Sequence, residues 1–152
     1  MPFDANLVLA NLDADWTYAN IVTNDYGTPI STTRNAGGLA VLDLGATKIG
    51  GPVSGWAIVL VLTEAAAASD DALTCKIEES SVVAFGSDVH ELGKFDEAAA
   101  NTGIILGSEA PLVVVMRVAP KLRYLRIDAS MVAGDNFGAV WCLLSPYPFR
   151  VL

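Results

Sequence analysis

The sequence predicts an all-β protein, an antiparallel sandwich of two sheets, and three observations carry that prediction. From Gly38 onward, short apolar segments alternate with clusters of turn-forming residues, which is the punctuation of antiparallel strands. Hardly any stretch keeps a helical period long enough for a stable helix. Finally, Trp56-Ala57-Ile58-Val59-Leu60-Val61-Leu62 and Leu112-Val113-Val114-Val115-Met116 are apolar without alternation, so both faces of each strand are expected to be covered. A second sheet on one side and a loop, arm or neighbouring subunit on the other would cover them.

Taken in order, residues 1–35 read as an N-terminal arm and loop, with strand potential at 7–12 and a flexible stretch of Asn, Gly, Pro, Ser and Thr at 24–35. Residues 36–152 read as the sandwich domain. Its expected strands are 39–44, 56–63, 73–78, 82–85, 102–106, 112–118, 122–128 and 137–144, about eight in all. The segments 45–52, 69–71 and 133–136 supply turns, because they are rich in residues that accept positive φ or pre-set a bend. Ala-rich 64–68 and 95–101 have helix propensity but are too short to stand alone, and they read as connections. The final stretch contains Pro146 and Pro148, which prevent central-strand pairing. It also carries Tyr147, Phe149, Val151 and Leu152, which are costly to leave in water. This tail is expected to dock, either on its own domain or as a clasp on another subunit.

Composition narrows the function classes. The chain has 152 residues, 53% of them hydrophobic and 17% charged, which fits one domain with a real core and apolar surface to spare for a partner. A net charge of −8 argues against direct nucleic-acid binding, which needs a cationic footprint. The run 56–62 is far shorter than the ~20 residues a membrane helix requires. Residues 1–14 lack the basic start and apolar stretch of a secretion signal, so synthesis in a cytoplasm is expected. Cys75 and Cys142 lie in apolar runs and read as small buried hydrophobes; a disulfide between them is possible but not needed.

Chemistry finds little to build on. His90 is the single histidine. It sits in Ser87-Asp88-Val89-His90-Glu91, but triad members are normally assembled by the fold and not by one loop. Zinc spacing is absent, Asp13, Asp15, Asp70 and Asp71 belong to no EF-hand-like loop, and Gly37-Gly38 and Gly50-Gly51 are followed by no phosphate-binding motif. The expectation is a protein that is not an enzyme and uses no cofactor or metal.

Contact surfaces are better candidates. Arg117, Lys121, Arg123 and Arg126 concentrate positive charge in an acidic chain. Strand alternation puts Arg123 with Leu125 and Ile127, and Arg126 with Leu122, Tyr124 and Asp128. Arg126 is then placed either to pair with a carboxylate on a neighbouring strand or to dock on an acidic partner. Trp16 and Tyr18, two residues apart, could share an exposed face with Tyr26 nearby and stack on sugars, which makes a carbohydrate-binding β-sandwich on a virion or cell surface the alternative function.

Three passages resemble the small jelly-roll decoration, or cement, proteins of tailed bacteriophages. Val41-Leu42-Asp43-Leu44-Gly45 leading into Gly50-Gly51-Pro52 resembles that family's opening strand and turn. Trp56 to Thr63, an Ala-rich spacer and Asp71-Ala72-Leu73-Thr74-Cys75-Lys76-Ile77-Glu78-Glu79-Ser80 resemble its pair of sheet strands. Arg123-Tyr124-Leu125-Arg126-Ile127 followed by Gly134-Asp135-Asn136-Phe137-Gly138-Ala139-Val140-Trp141 resembles its closing hairpin. The likeness spans residues 39–145. It implies a jelly-roll sandwich on the outer surface of a virion that forms a homo-oligomer, dimer or trimer, and clamps neighbouring subunits of a major capsid protein, with no catalytic residues, no nucleic acid and no membrane.

Overall fold

A computed structural model of the chain describes residues 8–10, 15–22, 41–45, 55–95 and 103–146. The strands are β1 (Val8–Ala10), β2 (Asp15–Thr17), β3 (Val41–Asp43), β4 (Trp56–Leu62), β5 (Ala72–Ser80), β6 (Val89–Lys94), β7 (Ile104–Leu106), β8 (Leu112–Val118), β9 (Tyr124–Met131) and β10 (Asn136–Pro146). Among the described residues there are also one short helix, α1 (Tyr18–Val22), and a 3-10 turn at Gly107–Glu109.

These strands form two antiparallel sheets. The first runs β1-β10-β4-β8, with β2 also on β10; the second runs β3-β9-β5-β6, with β7 also on β5. Pairing is nested: β1 with β10, β3 with β9, β4 with β8 and β5 with β6. Such a rolled hairpin, its layers alternating between two sheets, is the jelly-roll arrangement. The expected all-β two-sheet sandwich is therefore observed.

The core lies between the sheets and follows the period of two. Ile58, Leu60 and Leu62 of β4 and Val140, Cys142 and Leu144 of β10 face Leu73, Cys75 and Ile77 of β5 and Leu125 and Ile127 of β9. Fully burying each of the large aliphatic side chains contributes about 1.5–3 kcal/mol. Ala57 and Val59, on the opposite face of β4, are buried as well, as that strand's unbroken apolar run predicts.

Several elements differ from expectation. Residues 82–85 form a turn, not a strand. The Ser80 hydroxyl accepts from the Val82 N–H at 3.0 Å, the Phe85 N–H donates to the Val82 carbonyl at 3.0 Å, and Phe85 takes φ 50°. Local serine bonding overrides the β preference of two valines that remain exposed. The sequence hid β6 because an edge strand such as Val89-His90-Glu91-Leu92-Gly93-Lys94 is held by backbone pairing and shows no apolar alternation. The described part of the expected N-terminal arm is woven into the sandwich: Leu9, Ala10, Trp16 and Ile21 join the core, and β1 and β2 both pair with β10. Packing thus does not begin at residue 36.

The loops at one end interlock through Asp71 and Asp135. The Asp71 carboxylate accepts from the N–H groups of Ala68 and Asn136 at 3.1 and 3.2 Å, and Asp135 accepts from Ala72 and Val132 at 3.0 and 3.2 Å. Gly107 donates to the Asp71 carbonyl at 2.7 Å, and a Cβ built on it would meet the Ala68 carbonyl oxygen at 2.0 Å. We expect Gly107→Ala to cost about 2 kcal/mol by forcing these backbones apart. Urea unfolding would measure it, with Gly86→Ala, where nothing lies within 4 Å, as a control that loses little.

Candidate interaction surfaces

The outward faces of the two sheets are chemically opposite. On the second sheet, β9 turns Leu125 and Ile127 into the core and Tyr124, Arg126 and Asp128 outward, as alternation predicts. Register then sets Arg126 beside Glu78 and Asp128 beside Lys76 of β5. Arg126 Nη2 lies 2.6 Å and Nε 2.7 Å from Glu78 Oε2, and its guanidinium stacks 4.5 Å over the Phe85 ring. Lys76 Nζ bridges Glu78 at 2.8 Å and Asp128 at 3.1 Å. Arg123 grips Asp43 of β3 with a two-pronged fork, Nε to Oδ1 and Nη2 to Oδ2, both 2.8 Å, and stands 5.1 Å over Tyr124. Bidentate geometry of this kind is what a guanidinium offers a carboxylate.

Protonation follows from this lattice. Burial pushes the Glu78 carboxyl up, but hydrogen bonds from Lys76 and Arg126 more than reverse it and hold it below the ordinary 4.5. The Arg123 fork holds Asp43 below its ordinary 3.8, against a smaller opposing effect of burial. The Glu78 hydrogen bond raises Lys76 above 10.5.

The basic cluster is therefore not one patch. Arg117 lies on β8 of the first sheet, whereas Arg123 and Arg126 serve the second and are committed to carboxylates of their own chain. Lys121 is exposed in the connection between β8 and β9, where the backbone N–H groups of Lys121 and Leu122 donate to Glu79 Oε2 at 2.6 and 2.9 Å. Trp16 is fully buried in the core, and Tyr18 is 39% exposed. The chain passes from β2 into α1 between them, so they do not share a face, and the aromatic platform loses its tryptophan. Tyr26, Tyr147, Phe149, Val151 and Leu152 lie outside the described residues.

Around His90 the order of groups is that of a loop clasp. Asp88 stands in the middle, accepting from the Ser81 hydroxyl at 2.5 Å and meeting His90 Nε2 at 2.9 Å. In a hydrolytic triad the imidazole occupies the middle and reaches the hydroxyl. Cys75 and Cys142 are buried thiols not joined in a disulfide, and burial, then the neighbouring Cys142 and Asp128, push the Cys75 thiol well up, which makes it inert as a nucleophile. Among the described residues no group of three or more His, Cys, Asp or Glu could hold a metal ion, and no helix is long and apolar enough to cross a membrane.

The first sheet's outward face is apolar: Val59 and Val61 on β4, Trp141 and Leu143 on β10, and Val113 and Val115 on β8. Its β4 and β10 members Val59 and Leu143 are buried, whereas Val113 and Val115 are 58% and 47% exposed. The expectation that both faces would be covered thus holds for β4 and stops at β8. The unalternated Val113-Val114-Val115 run was the sequence signal for this surface.

No family model matches the chain, and comparison with curated proteins and with solved structures finds no match.

A pH dependence follows from the charged lattice. Both carboxyls have folded-state values below their unfolded ones, so the stability they give is present above about pH 4.5 and lost as pH falls through the folded values. Lys76 has a raised value, so its share is full below 10.5 and lost above. Glu78→Gln is expected to cost about 3 kcal/mol at neutral pH, since it leaves Arg126 half-buried without its counter-charge, and to make the acid limb shallower. Urea unfolding of both proteins between pH 2 and 7 measures the two effects together.

Proposed function

We propose that the chain is a non-enzymatic structural protein, a decoration or cement protein that binds the outer surface of a tailed-phage capsid and clamps neighbouring major capsid protein subunits. What supports this reading is the resemblance of residues 39–145 together with where its passages fall: they supply β3, β4, β5, β9 and β10, which are the inner strands of both sheets and one edge, in jelly-roll order. A shell under internal pressure gains from clamps across its subunit junctions. Clamps need a rigid body and surfaces that bury apolar groups on a neighbour. The charged lattice and filled core supply rigidity. The apolar outward face around Val113 and Val115, the exposed Arg117 and Lys121 and the segment 147–152 supply contacts, and homo-oligomers multiply them.

Co-sedimentation with expanded capsids of the phage that carries the gene tests the reading. Saturable binding is expected, with the shells' disruption temperature raised. Deletion of residues 147–152, with Tyr147, Phe149, Val151 and Leu152, should weaken capsid affinity about tenfold or more, ~1.4 kcal/mol, while the β spectrum is kept. Failure of the intact protein to bind any form of the shell would remove the proposal.

A further inference from the structure

Strand β8 ends the first sheet: among the described residues only β4 pairs with it. Natural edge strands are blunted by charge, bulges, brevity or proline, because their free N–H and C=O groups invite another strand. The matching edge of the second sheet is blunted in this way. There β6 carries His90, Glu91 and Lys94, and its register slips opposite Ile77 and Glu78. β8 is different. Its seven residues run Leu112-Val113-Val114-Val115-Met116-Arg117-Val118 in unbroken register with β4, with Arg117 the sole charge and no carboxylate, in a chain of net charge −8.

We propose that β8 is a docking edge for a second copy of this chain, the two strands pairing antiparallel about a two-fold axis at Val115 and joining the two first sheets into one. A second copy is the matching occupant because β8 carries no bulge, proline or carboxylate to bar its own kind, and its single charge, Arg117, lies off the centre of the strand, so two copies can pair over the whole length without opposing like charges. An axis perpendicular to the sheet keeps both cores on one side and pairs residues of like parity. The register that uses the whole strand sets Val115 against Val115, Val113 against Arg117 and Leu112 against Val118 of the second copy. Charge favours this register. The two guanidiniums fall on either side of the axis, roughly 13 Å apart along the strands, each laying its methylene stem over an otherwise exposed Val113. Sliding until Arg117 faced its own copy would oppose like charges.

The seam is roughly 23 Å long and carries two outward valines from each copy, which places it at the small end of specific interfaces. The dimer should therefore dissociate on dilution. The pairing deepens the homo-oligomer reading given above and rests on it for its role. The contact itself is tested on free protein without capsids, so its failure is separate from failure to bind a shell.

Residues directly opposed across antiparallel strands have Cα atoms about 4.5–5.5 Å apart, within the span a disulfide accepts. Val115→Cys should thus oxidise almost completely to a disulfide dimer at concentrations that populate the wild-type dimer, with the buried Cys75 and Cys142 taking no part. Val132→Cys, at a 65% exposed position, should stay monomeric and serves as the collision control. Sedimentation velocity should show wild-type protein passing from monomer to dimer with concentration. Val115→Lys, which sets two like charges on the axis, should raise the dissociation constant at least about tenfold with an unchanged β spectrum. A wild-type protein monomeric at every concentration, equal cross-linking of the two cysteine variants, or an oligomer indifferent to Val115→Lys would each overturn the proposal.

Discussion

The pairing of β10 with β4 is the constraint on which the rest of the structure depends. Seven consecutive residues of each strand, Val140 to Pro146 against Leu62 to Trp56, lie in one register without a bulge, and Pro146, expected to prevent central-strand pairing, is instead the last paired residue of β10. They bring together segments separated by most of the chain. Everything else in the first sheet attaches to this pair, β8 through β4 and both β1 and β2 through β10. Because β4 is covered on both faces, its backbone groups have no water to fall back on and must be met by its neighbours. A one-residue slip would move Ile58, Leu60 and Leu62 out of the core and Ala57, Val59 and Val61 into it. The smaller Ala57 would leave unfilled volume there.

The second sheet solves the same problem of an outward face by different means. There β9 and the first part of β5 alternate between core and outward face, and the outer row is an ion lattice of Lys76, Glu78, Arg126 and Asp128, with the Arg123–Asp43 fork beside it. Glu78 is nearly fully buried yet charged, a state its two cations and the Phe85 ring under Arg126 make tenable. Such a lattice adds less stability than the same area of packed hydrocarbon, but it constrains register. Arg126 meets Glu78, and Lys76 meets Asp128, only when β5 and β9 align as they do.

What the sequence revealed and what it hid divide along physical lines. Apolar runs and turn clusters locate strands because burial and bending are local demands, so β4, β8 and β10 were legible almost to the residue. Alternation likewise tells which face a side chain takes, and it put Arg126 outward where a carboxylate of a neighbouring strand could meet it. It does not tell which strand is the neighbour. The nested order is a long-range outcome that no short window contains, and Glu78 could not be chosen from the other acidic residues beforehand. β6 was hidden because its stability lies in main-chain pairing. Trp16 was misplaced because a two-residue spacing implies a shared face only while the strand continues, and the strand ends at Thr17.

The distribution of charge bears on how this surface can recognise anything. A cluster of four cations in the sequence suggested electrostatic docking, but two of them are tied to Glu78 and Asp43 and present a face near neutrality. Steering by charge needs an unbalanced field at the contact, and these two arginines do not provide one. The face that does lack internal satisfaction is the apolar one, where burial on β4 and β10 gives way to exposed valines on β8. The free energy available there is non-directional and proportional to the area removed from water. Direction has to come from the adjoining backbone edge, whose donors and acceptors fix the angle and register of whatever strand they accept. Apolar area and a free edge meet on one strand, β8, and among the described strands that combination separates it from the charged, bulged edge at β6.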